Sequence, residues 1–450
     1  MHLIYRSTCR ICGSKALSPV IDLGEQYLQG AFVKEGHLDP PRRRLPTQLV
    51  RCDVTKDEHG CGLLQLAHTP PPQILYSNYW YRSGTNATMR QHLAGIVKSA
   101  MSLRQDKVRR VVDIGCNDGT LLKCYPDDVE RFGVDPSDIA REIGEPFKII
   151  DTVFPSAKVF KAIDDASVDV ITSIAMYYDL NDPIGFTASV KRLLAPNGVW
   201  IVEMSYLPLM LQTNSFDTIC HEHLEYYSLS VLENIMARVG LRVFKTELND
   251  INGGSIRCYV CHDTNFAFDT PEASNYLQQL RIREFELELD TDRPYQSFQQ
   301  RINRLKDAMT ELLRSLKAQN KRIHLYGAST KGNVLLQWYA IDSRTVDCAA
   351  DRNPEKTGAH TLGTNIPIVS EATSRAQKPD YYLVLPWHFK REFLEREREM
   401  IEAGTKMIFP LPEIVVVDRN NLSDHLRAAK AEQQDSLLAH LQSQRTREPA

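Results

Sequence analysis

Apolar and polar positions change rhythm three times along this chain. Over the first 75 residues no helical period holds, and the stretch is loop-rich, broken by DPPRRRLP (39–46) and TPPP (69–72). From Val108 short apolar runs alternate with amphipathic segments: VRRVVDIG (108–115), ERFGVD (130–135), VDVITSIAM (168–176) and NGVWIVEMS (197–205). Short runs spaced by helical stretches predict a mostly parallel, doubly wound sheet. Two further runs, LRVFKTE (241–247) and GSIRCYVCH (254–262), are separated only by LNDINGG, which suits a closing hairpin and not a crossover.

Residues 295–317 then predict an amphipathic helix, because Phe298, Ile302, Leu305, Met309, Leu312 and Leu316 recur at steps of three or four. The alternation resumes at RIHLYGAST (322–330), TVDCAAD (345–351) and PDYYLVLP (379–386), a second and smaller α/β unit. The last 30 residues are polar and read as a solvated helix. The expected organisation is α/β, with a small N-terminal domain over 1–75 and a Rossmann-like domain over 76–262. A helical segment with a smaller Rossmann-like domain follows over 263–418, and a polar tail over 419–450.

A chain of 450 residues is too long for one core, and 42% apolar content suffices to build several. With 54 Lys+Arg against 57 Asp+Glu, the net charge of -3 argues against binding nucleic acid through bulk positive charge. No run of about 18 apolar residues predicts a membrane span. The opening MHLIYRSTCRIC lacks a signal-peptide pattern, so a cytoplasmic location is expected. Ten cysteines in a reducing compartment then point to metal binding or packing, not to disulfides.

Four of those cysteines lie in the loop-rich first domain. Cys9 and Cys12 form a C-x2-C pair before Gly13, and Cys52 and Cys61 follow, the latter before Gly62. Four thiolates in tetrahedral array make a closed structural zinc site, and a segment poor in core needs such a staple. The eight-residue gap in the second pair leaves His59 as an alternative ligand.

VVDIGCNDGTLL (111–122) is a strand ending in D-x-G-x-x-x-G and leading into a helix. Gly115 and Gly119 let a ligand approach the backbone at the strand's carboxyl edge. Asp135, 20 residues past Gly115, can accept hydrogen bonds from both ribose hydroxyls. S-adenosylmethionine (SAM) and NAD proteins share that spacing. Asp113 at the strand end favours SAM, whose amino-acid end is cationic.

His221, Glu222 and His223 are consecutive in FDTICHEHLEYYSL (216–229). Consecutive residues point apart, so a metal site fits poorly, and a histidine general base oriented by a neighbouring Glu fits better. YSNYWYRSGTNATMRQH (76–92) places Ser83, Gly84, Thr85 and Arg90 before a helix, where an anionic or sugar ligand can be held. LYGASTKGNVLL (325–336) repeats the strand–glycine–helix design, with Lys331 available for phosphate.

Taken in order, CRICGS, CGLLQL, YRSGTNATMRQH, VVDIGCNDGTLL, FDTICHEHLEYYSL, NGGSIRCYV, YGASTKGNVLL, DRNPEKTGAHTLGTNIPI and LVLPWHF resemble the nucleotide-sugar C-3 methyltransferases of deoxysugar biosynthesis, from Cys9 to about Asp418. The resemblance implies a zinc-binding domain, a class I SAM methyltransferase domain and a C-terminal domain that helps bind the nucleotide sugar. It implies methyl transfer to C-3 of a 4-keto-6-deoxy sugar on a nucleoside diphosphate, by a monomer with no nucleic-acid or membrane partner.

Carried over by residue, the resemblance makes His223 the base and Glu222 its orienting partner. His221 and Tyr79 or Tyr81 become candidates for the oxyanion or for substrate orientation. Asp113, Gly115, Asn117, Asp118, Gly119 and Asp135 would hold SAM, with Ile174 and Met176 near the adenine. Ser83 would face the sugar; Ser329, Lys331, Gly332 and Asn333 would contact the nucleotide diphosphate. Cys9, Cys12, Cys52 and Cys61 would hold zinc. One departure stands out: Cys220 occupies the place of the family's usual Tyr, whose role would pass to Tyr226 or Tyr227. The rival readings are a zinc-ribbon RNA or DNA methyltransferase and a non-catalytic sugar-nucleotide-binding protein. The first should carry an N-P-P-Y-like loop, and ITSIAMYYDLNDP (171–183) stands in its place; the second should have lost the intact H-E-H.

Overall fold

The computed structural model describes residues 3–71, 75, 81–104 and 106–434. Tyr79 and the end of the polar tail lie outside them.

The central sheet has seven strands. In space they run Leu241–Asn249, Ser255–His262, Leu194–Ser205, Val168–Ile174, Arg110–Ile114, Glu130–Val134, Lys148–Ile150. All neighbours are parallel except Ser255–His262, which is antiparallel to both strands beside it. The hairpin expected from LNDINGG is therefore present. After Arg110 at its start, the first strand is buried throughout, with Val111, Val112 and Ile114 around the single polar Asp113, as buried parallel strands require. The order reverses between Arg110–Ile114 and Val168–Ile174, and the carboxyl ends of those two strands open the crevice where such sheets take ligands.

A second sheet runs Ile368–Ser370, Cys348–Asp351, Ile323–Tyr326, Tyr381–Val384, Lys406–Phe409, Val415–Val417. Its first five strands are parallel and the last is antiparallel. The helix Arg293–Ala318 is packed against this unit. Tyr295, Phe298, Ile302, Met309, Leu313 and Leu316 share one core with Ile323 and Leu325, and with Leu207 and Met210 of the first unit. Leu313, not Leu312, is the deeply buried residue of its turn.

The N-terminal domain departs from the loop-rich expectation. It holds an antiparallel sheet in the order Glu225–Tyr226, Leu64–Leu66, Leu45–Cys52, Leu17–Gln26. Pro19 and Gly24 disguised the strand Leu17–Gln26, which tolerates them because it is the sheet edge, with register shifts at both places. The fourth strand, Glu225–Tyr226, comes from the residues just after H-E-H. The zinc-bearing sheet thus holds the end of the histidine loop. Among the described residues no helix is long and apolar enough to cross a membrane.

Candidate active site

Cys9, Cys12, Cys52 and Cys61 bring their sulfurs within 4.8 Å of one another. Cys9 Sγ lies 3.4 Å from Cys61 Sγ and Cys12 Sγ 3.5 Å from Cys52 Sγ. A tetrahedral zinc–thiolate site sets its sulfurs about 3.8 Å apart, a spacing that these separations bracket. Gly13 and Gly62 follow the second cysteine of each turn at φ +75° and +77°, the left-handed conformation that lets both loops fold back. Hydrogen bonds from Cys61 and Cys9 hold the Cys52 thiol far below its ordinary value. His59 is 89% exposed and faces Glu58, away from a cluster that the four cysteines form by themselves.

At the first glycine loop, Gly115 sits at φ +80° with the Met176 side chain 3.0 Å from where a Cβ would lie. Ala175, itself at φ +55°, turns Met176 over the loop; such strain is held where a site needs it. Asp113 is buried, accepts from Thr172 Oγ1 at 2.6 Å, and is pushed up to about 7 by burial. Strand register places Thr172 directly beside it. Asp135 accepts the N–H groups of Asn117 at 2.9 Å and Ser137 at 2.8 Å, which leaves lone pairs for ribose hydroxyls. A carboxylate for a cationic end, a glycine edge and a ribose acceptor suit SAM.

Asn117 is occupied otherwise. Its side chain accepts from Ser83 N at 2.9 Å and donates to the Tyr81 carbonyl at 3.0 Å, while Asp118 accepts from Gly84 N at 2.7 Å. Asn117 and Asp118 therefore clamp the Tyr81–Gly84 segment across the loop. The clamp borders a cleft of about 520 Å³ lined by Arg82, Thr85, Arg90, Thr120 and Lys123. Tyr81 is 48% exposed. Gly119 packs on Ile143, and Ile174 is partly buried against the core that lies under this loop.

H-E-H separates into three environments. His221 is fully buried against the N-terminal domain, with Nε2 3.3 Å from both Thr47 Oγ1 and the Leu45 carbonyl, and burial pushes it down to about 4. Glu222 turns to Gly30, where a Cβ would meet its Oε1, and burial raises it. It makes no hydrogen bond to His223; the orienting group is the Thr218 carbonyl, 2.7 Å from His223 Nδ1. Because a carbonyl only accepts, Nδ1 carries the proton and Nε2 keeps a lone pair. The His223 ring packs on Tyr178 at 4.2 Å, and burial pushes it down to about 3. Tyr226 donates to the His223 carbonyl at 3.2 Å, whereas Tyr227 is engaged with Glu225. Tyr226 is thus the tyrosine that touches H-E-H beside Cys220.

The second glycine loop is used for joining domains. Ser329 Oγ accepts Gly332 N at 3.0 Å and caps the helix Thr330–Trp338, and Gly332 permits close packing on Leu385. Asn333 donates to the Gln29 carbonyl at 2.6 Å. Lys331 reaches the hairpin turn and donates to the Asn252 carbonyl at 2.5 Å. Beside these the fold brings residues that the motifs did not single out. Thr218 holds the histidine. Asp217 accepts from Trp387 Nε1 at 2.9 Å. Asp179 is half-buried, raised well above its ordinary range, and has one buried oxygen without a hydrogen-bond partner. His388 is pushed down to about 3 by burial and by Lys331. Their only sequence signal was position near a strand's carboxyl end.

Comparison with known proteins divides this chain in the same way. Family models match in order: a zinc binding domain over residues 9–76, a methyltransferase domain over 86–246 and a C-methyltransferase C-terminal domain over 250–412. C-methyltransferase NovU of Streptomyces niveus is 28% identical over 425 residues, covering 91% of this chain and 96% of the relative. Among solved structures, a chain of the Haloferax volcanii complex between the Trm112 methyltransferase activator and a methyltransferase is 18% identical, with TM-score 0.33, over 40% of this chain and 94% of its own. A SAM dependent methyltransferase from Archaeoglobus fulgidus is 21% identical, with TM-score 0.30, over 35% of this chain and 72% of its own. With its four-cysteine cluster, SAM-type glycine loop and three family models matched in order, the chain is a SAM-dependent C-methyltransferase with a zinc-binding type of N-terminal domain.

Proposed function

We propose that the protein methylates C-3 of a 4-keto-6-deoxyhexose carried on GDP or dTDP, in the making of a branched deoxysugar for a surface polysaccharide or a natural product. The observation that carries this reading is His223, whose protonated Nδ1 is fixed by the Thr218 carbonyl at 2.7 Å while Nε2 remains free to accept a proton. A C–H bond yields to such a base only where the carbanion is delocalised, and a ketone at C-4 acidifies C-3 by forming an enolate. SAM, when bound, supplies an electrophilic methyl group. Asp113 and Asp135 would hold it at the Gly115 edge, within residues 76–262. Residues 263–418 would face the sugar nucleotide, with Lys331 the member of the second loop that still has donors to offer.

At neutral pH the buried imidazole of His223 is uncharged, so its lone pair is available. An enolate beside it would favour the imidazolium and raise its basicity when the proton moves. Mass spectrometry of the protein with SAM and a panel of GDP- and dTDP-4-keto-6-deoxyhexoses tests the reading. One member should gain a single methyl. His223→Gln should lower that turnover about 10²-fold while leaving SAM affinity within about twofold. Unchanged turnover would take the base role from His223, and no product from any sugar would remove the substrate class.

A further inference from the structure

Lys331 is a half-buried cation without an ion-pair partner among the described residues. Its ammonium donates to the Asn252 carbonyl at 2.5 Å and forms no salt bridge among the described residues. Arg51, buried in the N-terminal sheet, is satisfied instead by Asp53 at 3.3 Å and Asp292 at 2.9 Å. A charge partly drawn out of water with no partner of opposite sign is stabilised when one arrives. Asp217 acts on Lys331 through its charge, but its Oδ2 is taken by Trp387 and its Oδ1 has no hydrogen-bond partner. Asp217 therefore steadies the ammonium without occupying it. An ammonium has three N–H donors, and the protein uses one.

The position of Lys331 is fixed by the fold. Ser329 caps the helix, Gly332 seats it on Leu385, and Thr330 lies beside Gly30 and the Glu222 carboxyl. The Asn252–Gly253–Gly254 turn, with φ of +59°, +84° and +124°, presents the carbonyl that Lys331 grips. The same turn sets Gly253 against Ser215 and Trp387; Trp387 Nε1 donates to Asp217, and the next residue, Thr218, holds His223 through its carbonyl, so cation and base border one site. His388 Nδ1 is buried there without a partner.

From this juxtaposition we infer that Lys331, supplied by the C-terminal domain, is a catalytic residue that holds the enolate oxygen of the methyl acceptor. The inference rests on the substrate class proposed above. In the step it serves, the C-3–H bond breaks and the proton bonds to His223 Nε2. The C–H electron pair becomes the C-3–C-4 double bond, and the carbonyl π pair moves to O-4. When C-3 then takes the methyl, the S–CH3 pair stays on sulfur, the C-4 carbonyl re-forms, and His223 later releases one proton. Lys331 meets negative charge only in the middle of this sequence. A preorganised donor in a water-poor site is worth most at that point.

The test separates an oxyanion role from a diphosphate role. Full-length protein is incubated in deuterated water with S-adenosylhomocysteine and the sugar nucleotide that it methylates, and C-3 exchange is followed by NMR alongside steady-state methylation. Lys331→Met should lower both exchange at saturation and kcat about 10²-fold or more, with the KM for the sugar nucleotide within about threefold. Lys331→Arg, which keeps the charge, should retain most of the exchange. A raised KM with exchange intact at saturation would assign Lys331 to the diphosphate and overturn the inference. So would an Arg variant as impaired as the Met variant while still binding SAM. A wild-type protein inert in both assays on every panel member would overturn the substrate reading itself, and the inference with it.

Discussion

The two α/β units close their first strand in the same way and put the result to different uses. In the first, Gly115 N donates to the Val134 carbonyl at 2.8 Å, and Asp135 at the end of the second strand accepts Asn117 N at 2.9 Å and Ser137 N at 2.8 Å. In the second, Gly327 N donates to the Ala350 carbonyl at 2.7 Å, and Asp351 accepts Ala328 N at 2.7 Å and Asn353 N at 2.8 Å. Both glycines lie in the left-handed region, at φ +80° and +86°. The side chains differ. Two residues before the glycine the first strand carries Asp113 and the second Leu325. After the glycine, the first loop clamps the Tyr81–Gly84 segment, and the second sends Lys331 and Asn333 into neighbouring domains. A strand–glycine–helix turn is thus a backbone device; the side chains around it decide whether it receives a cofactor or completes another domain's site.

The sharpest way to break this comparison is to remove the matching acids. Asp135→Ala and Asp351→Ala each free two backbone N–H groups, at a cost of about 1–3 kcal/mol of stability apiece. If Asp135 holds the SAM ribose as proposed, only Asp135→Ala should also weaken SAM, by about 10²-fold in Kd. Calorimetric titration with SAM checks this. Equal loss in both variants would mean that SAM binding follows general loop integrity and not the carboxylate.

A smaller effect distinguishes the two glycines. Alanine at either position adopts a left-handed φ at a cost of about 1–2 kcal/mol. At Gly327 the new methyl would also meet Pro386 Cγ at 2.7 Å and Cδ at 2.9 Å, a ring that cannot turn away. At Gly115 it would meet Met176 Cγ at 3.0 Å, on a flexible side chain. Gly327→Ala should therefore lower Tm by more than Gly115→Ala, while Gly115→Ala loses more SAM affinity. A reversed order of Tm would show that Met176 is the more rigid neighbour.

These contrasts also mark where the sequence could be read. Apolar runs announced the two α/β units and the hairpin, because a buried strand has nothing but its own run to declare. The cysteine pairs announced a metal site through spacing and two glycines. What stayed hidden depended on contacts distant in the chain. Glu222 looks like a partner for His223 because it is adjacent, yet adjacency turns it toward Gly30 and leaves Thr218 to hold the ring. Glu225–Tyr226 is too short to signal a strand until it meets Leu64–Leu66. Lys331 read as a phosphate ligand because loop residues often are, and only the fold brings it to the Asn252 turn of the methyltransferase domain.

A pH-dependent effect tests the side chain that most separates the two loops. Asp113 is raised to about 7 in the folded protein, mainly by burial and further by Asp135, against the lowering effect of Thr172. Its unfolded value is about 3.9. An acid raised on folding keeps its proton in the native state, so its contribution to stability is whole below about pH 4 and is lost as pH rises through 7. Asp113→Asn cannot ionise and should not share that loss. Without SAM, the variant's Tm should match the wild type near pH 4 and exceed it increasingly toward pH 8. SAM should narrow the gap, because its ammonium gives the ionised Asp113 a partner that Asn cannot replace, and wild-type SAM binding below pH 7 should release protons. Parallel Tm profiles with and without SAM would mean that Asp113 does not titrate in this window. The first loop would then differ from the second by shape alone, with Asp113 no more electrostatic in its work than Leu325.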